Sequence, residues 1–600
     1  MTVFACVIRI ALVPLEANSP KFFGFSDFLA GLALMVLVWT IADIRYKFRI
    51  RCAPLPLPEV TFAIVTGIGF LTLLTDLWRA ETWLVPKVSF CTPALWQAML
   101  AGLYLMTFLM WVVFAFLKPA TFTRWNARRY ARSLFQVIVK GSPADLTVIA
   151  DEVTRSAKAL VIRASDRSRS PHAQPTTSEE LSDVSLAANQ ILLLIADKRF
   201  CRVVVDSSPA TAWAFFSEMA EVKKFGIPIQ TFACNIVNEA IENKSSFLYH
   251  ESAGYESGLL GHYRPISKAL FSNYTMVETI GTVLDANYEN RRKWDSDQWA
   301  AYCAATALTF RDYVDKAYGQ HSYALYNAIR EMKTAVSDLY QLNGMENSNR
   351  EEDALDRLRV VVDFIIDAVK ILEDKGVPLG YKKRAKRTKV FGQRDMFENI
   401  AELIHEVIWA AASVHSPKDL CWTVQYNALW STLFNFDRLV GSAGRVVKTK
   451  AFRLMFDDVL EMNKYPNFKG ARILSFCLNV MGLQRSKQDY DKDSRALHRA
   501  ILFWTRKNYA RLCEYDPRVA QACLVDGMTY DAANHRLAKE YLQLPGQLMP
   551  HCVYLDLEPK LGAAENTSPK TALFGRNGAV KAARRRRKPQ INGMKRKAKD

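Results

Sequence analysis

Two stretches, VIVKGSPADLTVIADEV (Val137–Val153) and VVVDSSPATAWAFFSEM (Val203–Met219), begin 66 residues apart and share one pattern. Each runs an apolar triplet, two residues, Ser-Pro-Ala, and then a Glu ten positions after the Ser, at Glu152 and Glu218. The pattern is either a duplicated phosphate- or nucleotide-binding unit or the shared beginning of two helices. Ser can accept hydrogen bonds from free N–H groups at a helix start, and Pro suits the first helical position because its missing N–H would be unpaired there. A third Ser-Pro, Ser416-Pro417, stands before another expected helix.

Outward from these stretches, residues 133–250 read as strand alternating with helix. Strands are expected at Phe135–Val139, Ala159–Arg163, Arg202–Asp206 and Ile227–Phe232, with helices at Pro143–Ser156, Ser182–Ala196 and Pro209–Lys224. That order predicts a Rossmann-like α/β domain with a partly parallel sheet. In such sheets ligands sit beyond the carboxyl ends of strands, against helix N-termini. Candidate ligand-binding residues are therefore Gly141, Ser142, Ser207, Ser208 and Trp213, with Asp206 and Glu218 as candidate catalytic acids. Neither stretch carries G-x-G-x-x-G or a Walker Lys. Ala164–Thr177 reads as a polar, Pro-containing loop.

The second stretch continues as VVVDSSPATAWAFFSEMAEVKKFGIPI and resembles the nucleotide-cleaving edge of TIR-like and deoxyribosyltransferase-like Rossmannoid domains. The resemblance covers about 27 residues and implies that Glu218 acts on a ribosyl bond.

The first 120 residues are of another kind. Phe22–Ala42, Val60–Leu77 and Leu95–Leu117 are apolar runs of 21, 18 and 23 residues holding one, one and no charged residue. About 20 apolar residues cross ~30 Å of hydrocarbon. Three N-terminal transmembrane helices are expected, edged by Trp39, Trp78, Trp83 and Trp96 as an aromatic belt. Arg45, Lys47, Arg49 and Arg51 follow the first run, and Lys118, Arg124, Arg128, Arg129 and Arg132 follow the third. The positive-inside rule then places the N-terminus outside and the bulk of the chain in the cytoplasm, with a bacterial inner membrane as the expected location. The opening MTVFACVIRIALVPLEA lacks a basic n-region, so no cleaved signal peptide is read. Gly31, Gly67, Gly69 and Gly102 would allow close helix approach and a homo-oligomer.

The net charge is +19, and two short segments hold most of it. Lys382, Lys383, Arg384, Lys386, Arg387 and Lys389 form one, and a second runs from Arg576 to the end around Arg584, Arg585, Arg586, Arg587 and Lys588. Each is a candidate contact for anionic lipid or nucleic acid phosphates. The tail has too little apolar content to pack and is expected to be disordered. Eleven cysteines without a Cys-x-x-Cys pair fit a reducing compartment and give no zinc site. Glu402-Leu-Ile-His405-Glu406 resembles the Glu-x-x-His of carboxylate-bridged metal bundles, but the second copy such a site needs is missing, so His405 reads as structural and no metal is expected. Nothing points to a particular cofactor.

Past Ser257 the pattern is helical. Ala354–Asp374 has apolar residues at 355, 358, 361, 362, 365, 366, 369 and 372, one face of a helix, and Met396–Ala412 repeats it. Further helices are expected over Trp299–Gln341, Leu420–Val440, Ala451–Met462 and Ala496–Cys513. The expected organisation is an N-terminal segment (1–21), a transmembrane region (22–120), an α/β domain (121–256), a helical domain (257–560) that offers a surface to a protein partner, and a polybasic tail (561–600). The leading functional expectation is a membrane-anchored sensor, scaffold or effector, oligomeric and pore-forming or membrane-disrupting as in bacterial defence systems. The rival is a membrane-bound nucleotide-processing enzyme acting at the 206–218 edge.

Overall fold

The computed structural model describes residues 12–14, 21–41, 43–86, 92–166, 182–251, 256–257, 261–262, 265–344, 349–378, 395–435, 438–439, 441–484, 492–541 and 551–558. Both apolar triplets of the Ser-Pro-Ala stretches are helical in it. Val137–Val139 ends the helix Ala127–Lys140, and Val203–Val205 lies inside the helix Lys198–Ser207. A third expected strand, Ala159–Arg163, falls in the helix Ala157–Arg163. The fourth, Ile227–Phe232, is a bend that enters the helix Gln230–Glu242. The α/β expectation is therefore overturned: no parallel sheet exists among the described residues.

The reason lies in which side chains are buried together. In Ala127–Lys140 these are Ala127, Tyr130, Ala131, Leu134, Val137 and Ile138, the three-and-four spacing of one helical face. In Lys198–Ser207 they are Phe200, Cys201, Val204 and Val205. A strand would have put Val203 and Val205 on one face and Val204 on the other. Burial of a helical stripe outweighs the β preference of a three-residue Val run.

The expected helices form, with shifted ends save at Met396–Ala412: Pro143–Thr154, Asp183–Leu194 and Ala210–Val222 in the first half, then Ser296–Lys316 and Tyr323–Glu331 where one stretch was expected, Asn349–Lys375, Met396–Ala412, Gly441–Glu461 and Lys492–Tyr515, while Phe468–Met481 is a helix the sequence did not announce. One continuous apolar core runs through them, from Phe48 to Leu557. A three-stranded antiparallel sheet, Met528–Asp531, Arg536–Glu540 and Cys552–Asp556, packs Leu537 and Leu555 onto its end. Residues 1–557 form one unit, and residues 558–600 a second.

The expectation of three transmembrane helices is also corrected. Two helices among the described residues are long and apolar enough to cross a bilayer, Leu57–Ala80 and Pro93–Leu117. The first apolar run yields the helix Phe25–Ile41, whose 17 residues span about 25 Å, less than the ~30 Å of a hydrocarbon core. Its start is fixed by side chains of the other two helices. Phe22 N–H donates to Gln97 Oε1 at 2.9 Å, Phe25 N–H donates to Asp76 Oδ2 at 2.9 Å, and Lys21 pairs with Asp76 at 2.9 Å. An outside N-terminus followed from an odd number of crossings, and a two-helix hairpin no longer carries it. Gly31 and Gly69 admit rings from within the chain, since a Cβ there would stand 2.9 Å from Tyr104 and 2.7 Å from Phe28. At Gly67 and Gly102 a Cβ would meet open space.

Candidate coupling site at the base of the apolar hairpin

The last turn of Pro93–Leu117 is a π-helical segment, Val113–Leu117. A helix end leaves carbonyls without partners and carries partial negative charge. Here Arg49 answers both needs. It lies on the helix Ile44–Arg51 just before the hairpin, and its Nη1 donates to the carbonyls of Ala115 at 3.3 Å and Phe116 at 3.4 Å.

The other side of the same guanidinium is held by Glu152, on the helix Pro143–Thr154. Arg49 Nε donates to Glu152 Oε2 at 3.1 Å, and Nη2 donates to Glu152 Oε1 at 2.7 Å. Glu152 is fully buried and Arg49 is 7% exposed. Two parallel charge-assisted bonds fix the distance and the plane of the pair. Arg45, one turn earlier, reaches Asp151 at 3.5 Å and Glu152 at 3.7 Å. Asp151 Oδ1 in turn accepts from Ser208 Oγ at 2.8 Å, and Thr154 Oγ1 meets Thr211 Oγ1 at 2.8 Å. A chain of polar contacts thus leads from the hairpin's last carbonyls through the first Ser-Pro-Ala helix to the second.

The segment between hairpin and body is fastened as well. Asn126 Nδ2 donates to the carbonyls of Cys52 at 2.6 Å and Thr121 at 2.9 Å. Ser156 Oγ accepts from Phe122 N–H at 3.1 Å and lies 3.1 Å from the Tyr130 hydroxyl. Phe48 and Phe122 stand edge-on to the Tyr130 ring. Burial pushes the Cys52 thiol and the Tyr130 phenol well above their ordinary pKa values, so both stay neutral in this joint.

The residues expected to form a ligand site are dispersed. Ser142 caps its helix in a reciprocal box, accepting from Asp145 N–H at 3.3 Å while its own N–H donates to Asp145 Oδ2 at 2.9 Å. Gly141 is required by close packing, since a Cβ there would stand 2.5 Å from the Val137 carbonyl oxygen. Ser208 is buried and bonds Asp151 rather than capping the helix Ala210–Val222. Ser207 and Asp206 are exposed at the C-terminal end of Lys198–Ser207, bonded to one another at 3.1 Å. This is the carbonyl end of a helix, which disfavours an anion, where the expected strand end would have faced a phosphate. Glu218 faces Lys158 at 3.6 Å on another neighbour, and Trp213 stands half-exposed. Asp206 and Glu218 stand on two different helices, and the sheet edge implied by the ribosyl-cleaving resemblance is not present among the described residues. The basic residues 382–389 and 584–588 lie outside the described residues.

His405 is buried, with Nε2 2.7 Å from Asp458 Oδ2 and Nδ1 3.8 Å from Glu406. Burial opposes its charge, but the bonds to Asp458 and Glu406 outweigh that and raise its pKa. The same bond to His405 holds the Glu406 carboxyl down to about 2. No group of three metal-ligating side chains occurs among the described residues.

No family model matches the chain, and neither the curated proteins nor the solved structures hold a significant match. The sequence reading overlooked the Arg49–Glu152 pair. Its signal was the shared spacing itself, since Glu152 occupies the position in the first stretch that Glu218 occupies in the second.

Proposed function

We propose that this chain is a non-enzymatic, membrane-anchored sensor or effector: the hairpin 57–117 sits in lipid, the helical body lies on the cytoplasmic face, and the Arg49–Glu152 pair couples the two. The outward face of the hairpin carries the argument. Only 28% and 22% of the most apolar windows of its two helices are buried, and Phe62, Phe70, Met99, Leu105, Met106 and Leu117 are exposed. Core helices of a water-soluble body would hide such side chains, and an uncovered apolar surface of this kind calls for lipid or a partner.

The two ends of the hairpin differ as the ends of a membrane segment do. Trp78 and Trp83 stack edge to face at 5.0 Å at one end, and Trp96 Nε1 donates to Thr75 there at 3.1 Å. The other end is flanked by Arg45, Lys47, Arg49 and Arg51 before it and by Lys118, Arg124, Arg128, Arg129 and Arg132 after it. The polybasic segments would add attraction to an anionic inner leaflet, roughly 1 kcal/mol per basic residue near the surface. Open faces at Gly67 and Gly102 would let a second copy's helices approach.

The test is membrane partition of the full chain. Resistance to alkaline carbonate extraction is expected, and substitution of Phe62, Phe70, Met106 and Leu109 by Glu should release the protein. Quantitative extraction of the unaltered chain would defeat the proposal.

A further inference from the structure

Away from the hairpin, a cleft of about 450 Å³ opens between the helices Tyr288–Arg291, Tyr323–Glu331 and Met396–Ala412 and the 3₁₀ turns after Glu331. That volume is in the range of small-molecule sites, roughly 300–1,000 Å³. Its walls combine two features. Three large rings, Tyr288, Tyr340 and Trp409, stand about half-exposed around it. Four cations, Arg291, Arg292, Arg330 and Lys333, line it with them.

The acids in the cleft are already committed. Glu331 pairs with Arg291 at 2.6 Å and with Arg330 at 3.2 Å. Glu406 pairs with Lys469 at 3.5 Å and faces His405 at 3.8 Å. Arg292 forms no ion pair among the described residues and lies over the Tyr288 ring at 4.4 Å, and Lys333 makes no direct ion pair there although its charge helps to lower the Glu406 pKa. Arg291 Nε is buried with no hydrogen-bond partner, a donor left over at the wall. With four cations against two acids, the cleft keeps a surplus of positive charge beside flat ring faces. Phosphate oxygens suit the first and a heteroaromatic base suits the second, because any base has a π-face that stacks on an aromatic side chain.

We infer that this cleft binds a nucleotide, its phosphates on Arg292 and Lys333 and its base on the ring wall of Tyr340 and Trp409. The inference stands on the cleft alone and does not depend on the membrane reading.

The experiment uses the full chain in detergent, with equilibrium dialysis against the four common ribonucleoside triphosphates, and with adenosine and inorganic triphosphate as partial probes. At least one nucleotide should bind saturably with a Kd below about 1 mM. Adenosine and inorganic triphosphate should each bind at least tenfold more weakly. Arg292→Glu with Lys333→Glu should weaken nucleotide binding at least tenfold, as should Trp409→Ala, and the melting temperature should stay unchanged because all three side chains are exposed. Lack of saturable binding by all four nucleotides would overturn the inference. So would binding unmoved by these substitutions, or inorganic triphosphate binding as tightly as the nucleotide.

Discussion

Arg49 and Glu152 form a buried two-bond ion pair, at 2.7 and 3.1 Å, between the chain that enters the apolar hairpin and the first helix of the Ser-Pro-Ala pair. Removing one partner of such a pair leaves a buried charge unmatched, which costs about 3–5 kcal/mol. Arg49→Met and Glu152→Leu should each destabilise the full chain by about that amount. Arg49→Met with Glu152→Leu should recover most of the loss, since neither charge is then stranded. Chemical denaturation of the four proteins closes the cycle. If the double variant loses the sum of the single losses, the two residues do not act as a pair.

The two Ser-Pro-Ala serines have different jobs, so their substitutions should read out differently. Ser142→Ala removes a capping box and should cost about 0.5–2 kcal/mol. Ser208→Ala removes the contact to Asp151 across the helix pair as well as one to Thr211, so its effect should shrink in an Asp151→Ala background, whereas that of Ser142→Ala should persist in full. Equal dependence of both on Asp151 would contradict this assignment.

Asp206→Asn and Glu218→Gln should leave any cellular activity of the protein intact. Asp206 is exposed at a helix C-terminus, Glu218 faces a lysine across 3.6 Å, and the sheet edge that would have set them against a substrate is absent among the described residues. Loss of activity with an unchanged melting temperature would reinstate the ribosyl-cleaving reading.

Lys539 gives the body a marked pH dependence. It is 3% exposed, donates to the Asn479 carbonyl, and has Trp422 and Tyr541 rings 5.1 and 4.5 Å from its ammonium. Burial pushes its pKa from 10.5 down to about 7. Between these values the unfolded chain holds a proton that the folded chain does not. This group therefore makes stability rise with pH across that window, by about 1.4 kcal/mol per unit. Below about pH 7 both states carry the proton and its full penalty remains. Lys539→Met should improve stability more at pH 7 than at pH 10, measured by denaturant melts at both. An equal change at the two pH values would rule out a buried, readily neutralised amine.

The helical half of the fold was legible because its signal is long. Met396–Ala412 was bounded to the residue, and eight apolar positions of Ala354–Asp374 fall on one face of the helix Asn349–Lys375. The α/β assignment failed where the signal was short: a Val triplet next to a Ser-Pro fits a strand end and a helix end alike, and the burial of Val204 on one helical face with Phe200 and Cys201 decides it. The hairpin was visible as composition, but the first apolar run was not distinguishable from a span. Gln97 and Asp76, far away in sequence, set where its helix starts. The coupling site was half visible, since Arg49 was counted only as one of four basic residues and its partner lies 103 positions later.

The central claim is that the hairpin crosses a membrane with its tryptophan end outside and its basic end inside. It is tested most directly by fusing a reporter active only outside the cytoplasm after Thr82 and, separately, after Lys118, in a bacterial host. The account predicts activity from the Thr82 fusion and none from the Lys118 fusion, with a cytoplasm-dependent reporter giving the reverse. Outside activity at Lys118, or none at either position, would contradict it.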